Sequence, residues 1–376
     1  MNFSIQRVVA VFLKEFQQMM RDRLTFGMAV GVPILQLVLF GFAINTDPKS
    51  LPTALVAADR TPMSASFVAA LQNTGYFRIV HEGTSEAEAE KLLASGEAQF
   101  MVVIPPQFMR RLVRGEQPQL LVAVDATDPS ASGNALAALN AAAAQALQRD
   151  LAGPLQKLNA GAPPYQVVVH KRYNPEGLSI YNIVPGLVGV ILTMTMVMLT
   201  ALAMTRERER GTMENLLATP VLPAEVMAGK ILPYVVIGYV QLAVVFGAAT
   251  LLFAVPLEGS FTLLMAMIGV FIVANLGVGF TFSTLARNQL QAMQMTFFFF
   301  LPSILLSGFM FPFRGMPRWA QWIGEVLPLT HFLRIVRGIM LKGNTFDLLL
   351  ADLWPMLAFM TVAGFVALKR YRQTLD

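Results

Sequence analysis

The sequence contains no cysteine, which excludes disulfides, thiolate metal sites and cysteine nucleophiles. Charge is also scarce: 14% of the 376 residues are Asp, Glu, Lys or Arg, whereas 55% are apolar and the mean hydropathy is +0.56. A soluble globular protein of this length needs more polar surface than these residues provide. The composition therefore indicates an integral membrane protein.

Signatures for nucleotide binding and for metal binding are missing as well. The sequence has no Gly-x-x-x-x-Gly-Lys-[Ser/Thr] phosphate loop, because Gly229-Lys230 lacks the earlier glycine. The histidines His81, His170 and His331 are far apart and form no His-x-x-His pattern, so structural or surface roles are favoured over a metal site. We therefore expect this chain itself to bind no cofactor.

Long runs without charged residues or histidine are the main positive signal. Such runs approach or exceed the roughly 20 residues that cross a bilayer as a helix, and they lie at 24–44, 180–205, 231–257, 259–286, 288–313 and 353–368. They predict a polytopic α-helical membrane protein with six transmembrane helices. Charged residues in 1–23 exclude a cleavable signal peptide, and the spacing of Phe12, Phe16, Met19 and Met20 predicts a cytoplasmic amphipathic helix there.

The Lys and Arg residues beside these runs predict the orientation. Twelve lie on the side that carries both termini and the segment 205–230, and five lie on the other side, namely Arg314, Arg318, Arg334, Arg337 and Lys342. The excess predicts that both termini and 205–230 are cytoplasmic. Because the basic residues are scattered and do not form one face, we expect no nucleic acid partner despite the net charge of +5.

Residues 45–179 then form one large extracytoplasmic insertion between the first two spans. Strand-like and helix-like segments alternate through it and end in an alanine-rich helix over 130–158 and a strand over 166–170. The pattern predicts an α/β domain with its own core. Asp59, Asp125 and Asp128 follow strand ends, where ligand groups can lie, although turn formation is the favoured interpretation for each.

The predicted spans contain no Asp, Glu or His, which bears on the energy source. Proton-driven transporters usually carry such groups within the membrane, so a transporter of this kind needs energy from elsewhere. Polar residues in the spans, including Gln241, Asn275, Gln294 and Ser307, either bond between helices or line a pathway, and the first role is favoured for most of them.

Several motifs follow one another in a fixed order along the chain. They are Arg21-Asp22, the segment from Arg206 to Pro220 with the sequence RERERGTMENLLATP, Arg287-Asn-Gln-Leu-Gln-Ala, Pro302-Ser-Ile-Leu-Leu-Ser-Gly308, Phe311-Pro312, Met316-Pro317 and Leu327-Pro-Leu-Thr-His331. Together they resemble the membrane subunit of bacterial ABC type-2 exporters, in the subgroup with a large periplasmic domain between spans one and two. The resemblance implies a bacterial inner-membrane permease that pairs as a homodimer or with a paralogue. It also implies separate nucleotide-binding subunits, which hold the ATP and Mg²⁺.

The resemblance assigns ATPase coupling to the cytoplasmic segment after span two. In this sequence the residues are Glu207, Arg208, Glu209, Arg210, Gly211, Thr212, Met213, Glu214, Asn215 and Leu216. Alternating Arg and Glu suit charge-assisted contacts, and Met213, Leu216 and Leu217 offer an apolar edge. A solvated loop whose arginines only set topology is the plainer interpretation.

An exit route is the second functional hypothesis. Helical spacing on both sides of Pro328 predicts an external re-entrant hairpin of two short helices over about 312–342, with tryptophans at headgroup level. The resemblance implies that this hairpin caps the route, while an interfacial anchor fits the same residues. Candidates for the path are Gln241, Asn275, Gln294, Pro302, Ser307, Gly308 and Phe311.

The leading functional hypothesis is an ATP-driven exporter permease for drugs or other amphipathic compounds, working with a periplasmic adaptor protein and in contact with membrane lipid. A receptor that senses a ligand through residues 45–179 is one alternative. A secondary transporter is the other, and the absence of ionisable groups in the predicted spans disfavours it.

Overall fold

The structure is a computed structural model that describes residues 47–152, 155–156, 163–209 and 223–370. It has a sheet-containing unit near the start of the described chain and a bundle of long helices after it. The predicted amphipathic helix 1–23 and the predicted first span 24–44 lie outside the described residues.

The sheet unit alternates strands and helices. Its elements are β1 (Leu51–Ala57), α1 (Pro62–Asn73), β2 (Phe77–Glu82), α2 (Glu86–Ser95), β3 (Phe100–Ile104), α3 (Phe108–Val113), β4 (Gln119–Asp125), α4 (Pro129–Gln145) and β5 (Gln166–Arg172). The strand order is β2-β1-β3-β4-β5. β1 is parallel to β2 and β3, β4 is antiparallel to β3, and β5 is parallel to β4. The strands predicted from the alternating pattern are confirmed.

Two layers of side chains cover the sheet. The larger one includes Phe67, Phe100, Phe108 and Tyr165 and packs α1, α3 and α4 on one face. The smaller one, with Ala54, Ala89, Leu93, Ala98, Met101 and Ala123, packs α2 on the other face. Ser85 caps α2 by accepting a hydrogen bond from the Glu88 backbone N–H at 3.2 Å, as its sequence motif predicts.

The alanine-rich helix is shorter than the sequence predicts. It ends at Gln145 and does not continue to 158, and a turn follows in which Gln148 N–H donates to the Gln145 carbonyl. The turn directs Leu147 and Leu151 into the larger core, where they are buried. Burial of these two leucines overrides the high helix propensity of the surrounding alanines.

Five helices are long and apolar enough to cross a membrane within the described chain. They are α5 (Ser179–Glu209), α6 (Pro223–Phe253), α7 (Phe261–Leu285), α8 (Gln289–Leu306) and α11 (Phe346–Arg370), and α9 (Arg318–Val326) and α10 (Pro328–Lys342) lie between the last two. α5 packs against α6, α7, α8 and α10. The chain is thus a helical membrane protein, and the five spans predicted after residue 180 are confirmed as helices with shifted ends.

The hairpin predicted over 312–342 forms two helices with different environments. α9 exposes Trp319, Trp322, Ile323 and Val326, as an interfacial helix should. α10 instead buries most of its residues, and Phe332 stacks on Phe271 of α7 with ring centroids 4.0 Å apart. The apolar residues of α10 therefore face the helix bundle, whereas the sequence pattern suggested that they face the membrane interface.

Candidate functional site

The two ends of the bundle carry different polar features. We call the end where the bundle meets the sheet unit the sheet end, and the other the far end. α5 starts beside β5 at the sheet end and, with 31 residues at about 1.5 Å each, reaches the far end about 46 Å away. One helix therefore links both candidate sites.

At the far end, the last residue of α5 is tied to the first turn of α8. Glu209 accepts hydrogen bonds from the Gln289 side-chain Nε2 at 2.5 Å and from its backbone N–H at 2.8 Å. These bonds lower the pKa of Glu209, the side-chain bond having the larger effect. A carboxylate at a helix N-terminus is also favoured by the helix dipole. The contact fixes where the chain leaves the bundle toward the predicted coupling segment.

The rest of the predicted coupling segment has little described structure. Glu207 and Arg208 belong to α5, but their side chains lie outside the description, as do the residues Arg210, Gly211, Thr212, Met213, Glu214, Asn215 and Leu216. Their role in ATPase coupling stays a prediction. Of the ten residues, Glu209 is the one with a described side-chain partner.

The predicted path residues are not gathered in one place. Gln241 of α6 accepts a hydrogen bond from Thr195 of α5 at 2.8 Å, an interhelical bond of the kind that the sequence favours for it. Asn275 donates to the Phe271 carbonyl of its own helix, and its Oδ1 and the Oε1 of Gln294 are buried without a partner among the described residues. Pro302 lies within α8, and Phe311 packs against the small cluster around Leu305 and Met316.

Ser307 and Gly308 do lie at a cleft, which has a volume of ≈ 550 Å³ and separates the sheet unit from the helices at the sheet end. Its walls come from α2 and the start of β3, from the end of β4 and the start of α4, from the turn after α8, and from α9, α10 and α11. We refer to it as the cleft. Its charged lining residues are Glu97, Asp125, Asp128, Arg314, Glu325, Arg334, Arg337, Lys342 and Asp352.

Polar contacts across the cleft hold the sheet unit on the bundle. Lys342 Nζ lies 2.6 Å from an Asp125 carboxylate oxygen and donates to the Leu93 carbonyl at 3.1 Å, and both side chains of this ion pair are about nine-tenths buried. Asn344 donates to the Ala94 carbonyl at 3.0 Å, and Arg314 donates to the Gly96 carbonyl at 2.6 Å. Three carbonyls at or just after the end of α2 thus accept hydrogen bonds from side chains of the bundle, and the Leu93 carbonyl also accepts one from the Gly96 backbone N–H.

The strand-end aspartates have separate roles. Asp59 accepts from the backbone N–H groups of Thr61 and Met109, and Asp128 caps α4, so the predicted turn and cap chemistry is confirmed for both. Asp125 also accepts from Thr127, but its ion pair with Lys342 is a long-range contact that the sequence did not suggest.

A second polar cluster joins α9, α10 and α11. His331 Nδ1 lies 2.8 Å from an Asp352 carboxylate oxygen, and its Nε2 lies 2.8 Å from the Glu325 carbonyl. Both ring nitrogens of His331 therefore lie within hydrogen-bond distance of an oxygen acceptor. Arg334 bridges Glu325 at 2.6 Å and Asp352 at 3.1 Å. The structural role predicted for His331 is confirmed.

This cluster corrects the expectation of spans free of ionisable groups. The helix long enough to cross the membrane begins at Phe346, so it includes Asp347 and Asp352, whereas the charge-free run begins at residue 353. The helix can start earlier because Arg334 compensates the charge of Asp352 and His331 contacts the same carboxylate. Within the described residues, no group of three or more His, Asp or Glu side chains is placed to hold a metal ion.

His331→Ala should lower the thermal stability of the full chain. It removes both contacts of the buried ring, and loss of hydrogen bonds to charged and backbone partners costs about 1–3 kcal/mol. The unfolding midpoint in detergent measures the effect. His170→Ala, which truncates an exposed histidine on β5, is the matched control. Equal midpoints for the two variants would show that the cluster contributes nothing to stability.

The bundle of long apolar helices defines a multi-pass membrane protein. The chain belongs to the ABC-2 transporter family: residues 23–369 match the family described as ABC-2 family transporter protein. The family predicted from the sequence motifs is therefore confirmed. Membership implies an ABC ATPase as a partner.

Relatives match along nearly the whole chain. The probable multidrug ABC transporter permease YbhS of Escherichia coli K12 is 30% identical over 350 residues, which cover 91% of this chain and 90% of YbhS. Its counterpart YbhR is 27% identical, with 98% of each chain covered. The linearmycin resistance permease protein LnrN of Bacillus subtilis is 21% identical, over 98% of this chain and all of LnrN. No solved structure gives a significant match.

The cleft contains the functional candidates that sequence reasoning missed, above all Arg337 and Lys342. A signal for them was present. In the topology predicted from the sequence, five basic residues lie on the side where the positive-inside rule expects few, and four of them, Arg314, Arg334, Arg337 and Lys342, line the cleft. Basic residues in excess on the side where few are expected are candidates for ion pairs or for ligand binding in the folded protein.

Proposed function

We propose that this chain is the membrane-spanning subunit of an ATP-driven exporter that moves drugs or other amphipathic compounds out of the cytoplasm or the inner membrane. The observation that carries the proposal is family membership over residues 23–369 in a chain whose sequence has no phosphate loop. The names of YbhS and LnrN, which refer to multidrug transport and to linearmycin resistance, support the substrate class.

In this proposal the chain crosses the bacterial inner membrane six times, with both termini and 205–230 in the cytoplasm. Residues 45–179 then form the periplasmic α/β domain, and the sheet end faces the periplasm. The chain pairs with a second copy or a paralogue, and a periplasmic adaptor contacts the domain. ATP and Mg²⁺ bind to the separate ATPase subunits. The exposed apolar residues of α6, such as Val240 and Val244, support contact with lipid or with the paired permease.

The route for coupling follows α5. An ATPase docked on Glu207–Leu216 pushes the far end of this helix, which Gln289 links to α8. At the sheet end, Gly186 and Gly189 of α5 let the side chains of Phe309, Leu329 and Phe332 approach its backbone closely. A movement of α5 therefore reaches α10 and the cleft through packed side chains.

The test is reconstitution of the purified chain with its partner ABC ATPase. Stimulation of ATP hydrolysis by the permease, and ATP-dependent export of an amphipathic compound from vesicles, are the expected results. Lack of both would overturn the proposal.

Arg210→Glu should leave membrane insertion intact and reduce docking of the ATPase. Reversing one charge at a desolvated contact costs about 2–5 kcal/mol, so recovery of the ATPase subunit on co-purification should fall at least about tenfold. Arg78→Glu, an exposed charge reversal on β2, is the control. Undiminished recovery with Arg210→Glu would remove this segment from the docking site.

A proton-driven secondary transporter is the second candidate, and the Asp352–His331 pair is the observation that bears on it. Both side chains are engaged with Arg334 and with the Glu325 carbonyl, which disfavours a mobile proton relay. Uptake driven by a pH gradient in the absence of ATP would favour this alternative.

A further inference from the structure

Unpartnered polar atoms are concentrated in residues that line the cleft. Of the nine buried side-chain nitrogen or oxygen atoms that lack a hydrogen-bond partner among the described residues, four belong to residues that line it. They are Nε and Nη2 of Arg337, Oε1 of Gln99 and Oδ1 of Asn344. Buried polar groups are rarely left unsatisfied, so this concentration indicates that something with matching donors and acceptors occupies the cleft.

Arg337 supplies the most specific part of this arrangement. Its Nη1 donates to the Gly308 carbonyl at 3.3 Å, which leaves the edge formed by Nε and Nη2 free. The N–H bonds on that edge are parallel, and in this geometry they can donate to two oxygens of a carboxylate or phosphate at once. Burial lowers the pKa of Arg337, yet a guanidinium stays charged in proteins. A buried cation in this state favours an anionic ligand.

Within the described chain no carboxylate lies within ion-pair distance of Arg337, although Asp128 and Asp125 act on its charge from farther away. Arg334 is paired with Glu325 and Asp352, and Lys342 with Asp125. Two lining acids have no cation within ion-pair distance among the described residues: Glu97, which is exposed, and Asp128, whose carboxylate accepts hydrogen bonds from the first residues of α4. Arg314, the fourth cation, donates to the Gly96 carbonyl.

The wall of the cleft formed by the membrane-spanning helix α11 is apolar apart from Asp352. Leu348, Leu349, Trp354 and Pro355 of α11 line it, and the Trp354 side chain is 67% exposed. The cleft therefore places charged side chains next to an apolar surface that continues along α11. An amphiphile, with an anionic headgroup and an apolar body, matches both features.

We propose that the cleft binds the phosphate headgroup of a lipid-like amphiphile. The Nε–Nη2 edge of Arg337 holds two phosphate oxygens, and Gln99 Oε1 and Asn344 Oδ1 accept hydrogen bonds from hydroxyl or amine groups of the headgroup. The apolar body lies along α11. Such binding requires neither ATP nor the ATPase, so the proposal stands or falls independently of the export proposal above.

The experiment uses the full chain, purified in a non-ionic maltoside detergent, and follows binding through tryptophan fluorescence, since Trp354 lines the cleft. Dihexanoyl phosphatidylglycerol is the headgroup probe, dihexanoyl glycerol is the same diacyl body without the phosphoglycerol headgroup, and inorganic phosphate is the phosphate group alone. We expect saturable binding of the phospholipid and at least about tenfold weaker binding of dihexanoyl glycerol, because a charge-assisted bidentate contact is lost.

Arg337→Gln should weaken phospholipid binding by at least about tenfold, and Arg337→Lys, which keeps the charge but not the paired donors, should weaken it by a smaller factor. Arg318→Gln, an exposed arginine of α9 that does not line the cleft, is the matched control and should bind as wild type does. If Arg337→Gln does not fold, Gln99→Met provides a second test, with binding weaker by a few-fold because one acceptor is lost.

The outcomes distinguish a phospholipid headgroup from free phosphate as the ligand of the cleft. Inorganic phosphate that competes with the phospholipid as strongly as the phospholipid itself would show a free-phosphate site and overturn the amphiphile proposal. Equal binding of dihexanoyl glycerol, absence of saturable binding, or unchanged affinity in both Arg337→Gln and Gln99→Met would overturn it too. Loss of phospholipid binding in Arg337→Gln alongside unchanged binding in Arg318→Gln supports it.

Discussion

Replacing Lys342 with methionine is expected to lower the free energy of unfolding by about 3–5 kcal/mol, because it leaves the buried Asp125 carboxylate without its cation. Methionine keeps most of the side-chain volume, so a cavity contributes little. The substitution also removes the hydrogen bond to the Leu93 carbonyl. Thermal or denaturant unfolding of the full chain in detergent measures the loss.

A double variant separates charge burial from packing. Lys342→Met combined with Asp125→Leu removes both charges, and a buried ion pair replaced by apolar residues is often neutral in stability. We therefore expect the double variant to recover most of the stability that the single variant loses. Lys91→Met, an exposed lysine of α2, is the control for loss of a lysine. A Lys342→Met variant as stable as Lys91→Met would show that the pair does not hold the sheet unit.

The same variant tests how the two parts of the molecule are joined. Lys342, Asn344 and Arg314 all bond to carbonyls at the end of α2. Because Lys342 is the one of the three that also makes an ion pair, its loss should make the connection around residue 175 more accessible to proteases. Limited proteolysis in detergent, compared with wild type, reports this accessibility.

Local sequence signals predicted most of the elements correctly, because each rests on contacts close in the chain. Ser85 predicts the start of α2, Pro328 predicts the break between α9 and α10, and alternating apolar residues predict the strands of the sheet. The family motifs added the class of protein, which charge and hydropathy alone leave open.

The features that the sequence could not predict depend on contacts between residues that are far apart in the chain. Lys342 and Asp125 are 217 positions apart, and neither neighbourhood suggests a partner. The start of α11 was placed too late because a hydropathy run ends at a charge, whereas the helix tolerates Asp352 once His331 and Arg334 pack against it. The cleft arises from such long-range pairings. Because the sequence does not show these pairings, it suggests only a topological role for the cations of the cleft.

Gly279→Ala should be among the most damaging substitutions in the helix bundle. A Cβ at this position of α7 would lie 2.5 Å from the Val197 carbonyl oxygen and 2.9 Å from the Thr200 Cβ, both on α5. The nearest atom belongs to the backbone and cannot move aside as a flexible side chain can, so the two helices must separate. Overpacking of this kind costs typically 1–3 kcal/mol, and we expect about 3 kcal/mol here.

Gly277→Ala on the same helix is the matched control. Its Cβ would meet Ala363 of α11 at 3.4 Å, an ordinary contact, so the variant should unfold close to the wild-type midpoint. Replacing a helical glycine by alanine also favours the helix by up to about 1 kcal/mol, which makes any loss at Gly279 a lower bound on the strain. Equal midpoints for the two variants would contradict the close approach of α5 and α7.

The consequence for coupling follows from the position of Gly279 between the two candidate sites. α5 carries Glu209 at the far end and contacts α10 at the sheet end. A displacement of α5 from α7 should therefore disturb ATPase stimulation in Gly279→Ala even at temperatures where the chain stays folded, with Gly277→Ala unaffected. Normal ATPase stimulation by folded Gly279→Ala would exclude the α5–α7 contact from the coupling route.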